Sequence, residues 1–287
     1  MINLRDIRYI RLGTRDLDAC ATYATRILGL EPAGRDGDAL YFRGDNRDHT
    51  IVYFKGDAMD HTAAFEVDDK TELDAAGAAL ESLGHAVTWG TPDGCAQRRV
   101  GAYITFKDPS GNTIDLVAKA HFSGRRYFGS RDAGITSFSH IGLKTTNASR
   151  DEKFWTGVCS AKVSDWIGDA PLLRIDEVHH KIALFPSRVH GVQHINHQVQ
   201  GIDDIMRSYY FLKEQGVRIV FGPGRHPTSG AMFLYFEGPD GMIYEYSSGV
   251  RTITREQEAD YRPRQFPFNF ESFCMWGSRP DIPEFRT

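Results

Sequence analysis

Apolar residues along this chain alternate between two periods, and the alternation recurs. Ile7, Tyr9 and Arg11 lie two apart, as in a strand, and the acidic start Asp16-Leu17-Asp18 then opens the amphipathic run A-T-Y-A-T-R-I-L-G-L, which Gly29 stops. Two short strands follow, D-A-L-Y-F-R-G and H-T-I-V-Y-F. A second unit opens at His61 with T-A-A-F-E-V, runs through a helix over residues 71–83 to Gly84, and closes with strands at H-A-V-T-W, V-G-A-Y-I-T-F and, past the turn D-P-S-G-N, T-I-D-L-V. The pattern then restarts, with a strand over 138–145, a helix over 149–158 and short strands to Phe185. The stretch His194–Tyr246 repeats the second unit: D-P-S-G-N-T-I-D corresponds to G-P-D-G-M-I-Y-E, and F-E-V-D-D-K-T-E-L to H-Q-V-Q-G-I-D-D-I. The chain is thus four copies of a β-α-β-β-β unit of about fifty to sixty residues, in two pairs. This predicts an α+β protein of two domains, 1–128 and 135–287, joined by a Gly/Arg-rich linker around 119–134. The Pro-, Arg- and aromatic-rich tail after Ser248 is expected to wrap onto the body.

Composition narrows the class of partner. At 287 residues the chain can bury a core in each domain, and a net charge of −4 gives no reason to expect nucleic acid or an anionic membrane. No stretch approaches the roughly 18 apolar residues of a membrane span, and the charged M-I-N-L-R-D-I-R start is unlike a signal peptide. Cys20, Cys95, Cys159 and Cys274 are far apart and form no C-x-x-C pair, which predicts reduced thiols in a cytoplasmic protein.

Candidate chemistry concentrates in the second pair. Setting the halves side by side by their turns and helices places His140 opposite Tyr9, His194 opposite His61 and Glu245 opposite Asp115. Two imidazoles and a carboxylate on one face with open positions suit non-haem Fe(II). The first half, short of one imidazole, is expected to hold no metal. Any one of the three could be an ordinary strand residue; together, at equivalent ends of repeated units, they point to a metal centre. Strand alternation puts Asn196 on the ligand's face and turns His197 away.

The motifs H-H-K-I-A-L-F, G-R-H-P and the closing Y-E-Y, with a tail ending F-C-M-W-G-S-R-P-D-I-P-E-F, resemble the type I extradiol ring-cleaving dioxygenases of the vicinal oxygen chelate superfamily, near the 2,3-dihydroxybiphenyl 1,2-dioxygenases. The resemblance covers nearly the whole chain. It implies that each pair of units forms an eight-stranded incomplete barrel and that His140, His194 and Glu245 bind Fe(II), with Mn(II) fitting the same ligands. It further implies a catechol and dioxygen as substrates in aromatic degradation, and a homo-oligomer. By motif, His180 is the acid–base residue, His226 fixes the substrate oxygens and Tyr235 bonds the hydroxyl that deprotonates. Gly142, Leu172 and Ala183 are expected to line the oxygen pocket, with Asn196 adding polarity beside the metal. Ser229, Leu172 and Asn196 depart from the biphenyl-type pattern, which leaves the ring substituent open. His179 reads as a satisfied core histidine. Two other readings compete: a glyoxalase-like metal-dependent isomerase or thiol transferase, which would use further glutamates, and a metal-free binding protein of the bleomycin-resistance type.

Overall fold

The computed structural model describes residues 1–286. In the first half the strands are β1 (Asp6–Thr14), β2 (Glu31–Asp36), β3 (Ala39–Arg43), β4 (Ile51–Lys55), β5 (His61–Glu66), β6 (Thr88–Trp89), β7 (Val100–Lys107) and β8 (Thr113–Ala120). They form one eight-stranded sheet in the order β2-β3-β4-β1-β5-β8-β7-β6. The second half contributes β9 (Ile135–Thr145), β10 (Lys162–Ile167), β11 (Ala170–Arg174), β12 (Ile182–Pro186), β13 (Gly191–Val199), β14 (Ile219–Arg225), β15 (Met232–Glu237) and β16 (Ile243–Ser248). Their order, β14-β15-β16-β13-β9-β12-β11-β10, is built on the same plan. In each half the leading strands of the two units run antiparallel at the centre, β1 beside β5 and β9 beside β13. Each leading strand also lies parallel to the last strand of its own unit. The four-unit reading is therefore correct, with one addition: β17 (Arg264–Phe266), from the tail, pairs with β10 and makes the second sheet nine-stranded.

The helices begin where polar caps predict. Asp69 accepts from Glu72 N at the start of α2 (Lys70–Ser82), and Asn147 accepts from Arg150 N at the start of α4 (Ala148–Gly157). The first helix is shorter than its sequence suggests, since α1 (Leu17–Thr22) passes into a π-helical turn over Tyr23–Ile27. One helix was not legible from periodicity: α3 (Pro92–Arg98) contains Gly94 and has a single apolar turn, but Thr91 caps it and Pro92 occupies its first position. In the second half, α5 (Ile202–Glu214) buries Ile205 and Leu212.

The two halves share a continuous apolar core. The residues flanking the Glu245 position show how the shared face works. Along β16 side chains alternate, so Glu245 faces into the second barrel while Tyr244 and Tyr246 face the first half. The hydroxyl of Tyr244 lies 2.6 Å from that of Tyr53, and Tyr246 donates to the carbonyl of Leu28 at 2.8 Å. Asp6 is held by Arg47 from its own half and by Lys181, at 3.0 Å, from the other. The first half thus anchors the strand that carries Glu245.

Candidate metal centre

His140, His194 and Glu245 come from three neighbouring strands, β9, β13 and β16. In register, His140 lies opposite Asn196, Asn196 beside Glu245, and His194 opposite Gly142. All five residues therefore share the concave face. His140 Nε2 lies 3.0 Å from His194 Nε2 and 3.0 Å from Glu245 Oε2, and His194 Nε2 lies 3.4 Å from the same oxygen. The ligand atoms all fall within 4.8 Å of one another, and each residue is almost wholly buried.

The donor set fits a divalent metal. His194 Nδ1 is engaged by Gln193 Oε1, an acceptor, so Nδ1 carries the proton and the Nε2 lone pair faces the cluster. Both oxygens of Glu245 are buried and accept no hydrogen bond, an arrangement that costs heavily unless a cation fills the gap. Burial pushes the Glu245 carboxyl up, but His140, His226 and His194 outweigh it and hold the group well below its ordinary range. Burial also lowers His194 to about 3, so its imidazole is neutral and able to ligate. Gly142 is required here: a Cβ at this position would overlap His194 Nδ1 and approach its Cε1 to 2.7 Å.

Beside the cluster is a narrow cavity lined by His180, His194, His226 and Tyr235, with Leu172, Ala183, Ile167 and Phe185 as apolar wall. Leu172 and Ala183 are register partners on β11 and β12. Gly142 and Asn196 do not line it: Gly142 lies against the outer side of His194, and Asn196 donates to Ser247 Oγ at 2.8 Å, one layer deeper in the barrel. His180 packs on His140, ring centroids 4.3 Å apart, without joining the ligand atoms. His226 Nδ1 donates to the Phe273 carbonyl at 2.8 Å, so in the neutral ring its Nε2 accepts from Tyr235 Oη, 3.2 Å away. Burial, then Glu245, raises the Tyr235 hydroxyl well above the usual phenol range, which keeps it a donor.

Sequence reasoning missed the part played by the tail. Phe273, on the short helix α6 (Phe270–Phe273), and Phe285 stack 4.9 Å apart and close one side of the cavity. Gln193 was also unremarked, although its place next to His194 was visible. His197 faces the first half, against Gly44 and Phe138, as alternation requires.

The first half holds a counterpart of the cluster, with one correction. Tyr9 pairs with Ala64 and Ala64 with Asp115, as His140 pairs with Asn196 and Asn196 with Glu245. Counting from there, Thr62 occupies the place of His194, and His61 lies one residue away, on the other face of β5. Its ring accepts from the backbone N–H of Val192 at 3.2 Å, between the halves. Turns and helices align the halves only to within a residue, and a one-residue slip in a strand exchanges faces. Asp115 receives Arg98 Nε at 2.7 Å, Tyr9 Oη at 2.9 Å and Thr105 Oγ1 at 2.5 Å. Arg98→Met should leave a fully buried carboxylate without its cation and destabilise the protein by roughly 3–5 kcal/mol. A shift in urea midpoint worth less than about 1 kcal/mol would show that the two hydroxyls suffice.

The chain belongs to the Glyoxalase/Bleomycin resistance protein/Dioxygenase superfamily, whose family model matches residues 6–116 and 137–246. Among curated relatives, it is 27% identical to an iron-dependent extradiol dioxygenase of Rhodococcus jostii (strain RHA1), with 89% of this chain and 92% of that protein covered. It is also 27% identical to the biphenyl-2,3-diol 1,2-dioxygenase of Paraburkholderia xenovorans (strain LB400), over 97% and 96% of the two chains. The crystal structure of the Mn(II)-bound glyoxalase from Novosphingobium aromaticivorans superposes with a TM-score of 0.87 at 27% identity, covering 100% of this chain and 95% of that one.

Proposed function

We propose that the chain is an Fe(II)-dependent extradiol dioxygenase that opens a catechol beside its diol with dioxygen, in aromatic degradation. Biphenyl-2,3-diol or another 3-substituted catechol is the substrate class, and Mn(II) could fill the same ligands. The observation that carries this reading is the convergence of His140, His194 and an unbonded Glu245 beside a cavity walled by His180, His226 and Tyr235. Curated relatives over nearly the full length bear extradiol dioxygenase names, which supports it.

A metal on these three ligands would supply Lewis acidity, easing the loss of the catechol proton, and would leave positions for further oxygen donors. The chain's own groups do the rest. Tyr235, held protonated, donates toward an oxygen in the cavity or to His226. His226, fixed by the Phe273 carbonyl, orients that hydroxyl. His180 is neutral, because burial and then the neighbouring His140 and His179 push its pKa well below the usual histidine value, and it is placed to accept a proton. Leu172, Ala183 and Phe185 exclude water from the reacting edge. The same reading assigns 1–128 to a domain without metal and 135–287 to the catalytic domain, in a homo-oligomer. Four unpaired cysteines suit a cytoplasmic location, and no helix among the described residues is long and apolar enough to cross a membrane.

The test is anaerobic loading of the full chain with Fe(II), followed by catechols and then oxygen. A yellow ring-opened product, formed with one oxygen consumed per ring, is expected. The likeness to a Mn(II)-bound glyoxalase makes a second reading specific enough to assay. Conversion of a thiohemiacetal by the Mn(II)-loaded chain without oxygen uptake, and no ring opening, would replace the dioxygenase reading. Against that alternative, the metal-ligand cluster among the described residues contains a single carboxylate, Glu245, and no further glutamate.

A further inference from the structure

The histidine beside His180 is not idle in the core. His179 is fully buried, and its Nε2 lies 2.9 Å from Asp165 Oδ2, while its Nδ1 lies 3.1 Å from His180 Nδ1. Asp165, on β10, is held by the tail strand: Arg264 Nη2 approaches Oδ2 at 2.6 Å, and its Nε and backbone N approach Oδ1 at 3.1 and 2.8 Å. We infer that Asp165 and His179 are positioning residues that fix which nitrogen of His180 carries its proton, leaving the other nitrogen bare toward the cavity.

The argument is one of donors and acceptors. A carboxylate gripped by a guanidinium only accepts, so the proton of His179 must be on Nε2. Burial keeps His179 neutral against the pull of Asp165, with Arg251 and Arg264 adding to the effect, so its Nδ1 has no proton and can only accept. His180 Nδ1, facing it, must then be the donor. A neutral His180 has no second proton, and its Nε2 presents a lone pair. Without the dyad, both tautomers of His180 would be open, and one of them points an N–H at the substrate where a base is needed. Arg264 extends the chain of contacts to the tail, so the pairing of β17 with β10 reaches the cavity through three side chains.

This assignment rests on the acid–base role proposed for His180, but its first test does not require turnover. Nitrogen-15 shifts of labelled imidazoles in the full chain, loaded with diamagnetic Zn(II), should show His180 protonated on Nδ1 alone. In Asp165→Asn and His179→Phe the two nitrogens of His180 should average. In the Fe(II)-loaded enzyme both variants should lose about 10- to 100-fold in kcat, with KM and metal content within about twofold, less than removal of the acid–base group itself. His179→Gln should recover most of that loss, because its amide can donate to Asp165 and accept from His180. A wild-type His180 protonated on Nε2 would overturn the inference, as would an Asp165→Asn enzyme with unaltered shifts and rate. If the shifts behave as stated and no catechol is opened, the dioxygenase reading fails and the tautomer assignment stands.

Discussion

Replacing His194 with alanine is expected to remove both bound metal and ring-opening activity, while His61→Ala leaves the metal content at the wild-type value. The contrast follows from the register of β13 and β5. His194 lies opposite Gly142 with its Nε2 3.0 Å from that of His140, whereas His61 faces the seam between the halves and accepts from Val192 N. Removing His194 leaves one imidazole and one carboxylate, too few to hold a labile divalent ion against water. Metal analysis after gel filtration, alongside oxygen uptake with a catechol, reads both effects. Metal retained at one per chain in His194→Ala would place the centre elsewhere. Loss of metal from a folded His61→Ala would show that the ion is shared with the first half.

The second large effect is expected at His180. Glutamine there should preserve metal and substrate binding yet slow turnover by about 10²–10⁴-fold, the usual cost of losing a general acid–base group. Its ring lines the cavity without reaching the ligand cluster, and glutamine keeps a polar side chain of similar reach while removing the titratable nitrogen. Tyr235→Phe should cost less, since its hydroxyl donates a hydrogen bond and its raised pKa prevents it from acting as a base. Stopped-flow mixing of the preformed enzyme–catechol complex with oxygen separates the roles. Should His180→Gln lose activity only in proportion to lost metal, His180 is scaffold, and the proton-accepting role passes to His226.

Much of this was legible because strands impose a strict alternation and the chain repeats itself. A period of two, with glycine turns between the runs, located His140, His194 and Glu245 on equivalent edges and predicted that His197 would face away. What failed has definite causes. His61 was set opposite His194 by aligning turns and helices, which fixes strand register only to within a residue, and the observed pairing of Tyr9 with Ala64 shows that Thr62 is the counterpart. The Asp165–His179 contact joins residues from different strands, and the Phe273 carbonyl that orients His226 belongs to the backbone, which no residue pattern reveals. Arg98 was out of sight because α3 has no apolar periodicity and no equivalent in the other half.

Arg98 has a consequence for how the two barrels respond to their surroundings. In the first, the buried carboxylate of Asp115 is neutralised by a side chain of the same chain, Arg98. The second has a carboxylate of the same placement, Glu245, for which the proposed metal would serve as cation, and its stability would then be linked to free metal by RT ln(1 + [M]/Kd). Under chelation the two halves should therefore part in behaviour. Hydrogen exchange should quicken along β9, β13 and β16 while β1, β5 and β8 stay protected, and the seam at Tyr53 and Tyr244 marks where that divergence begins.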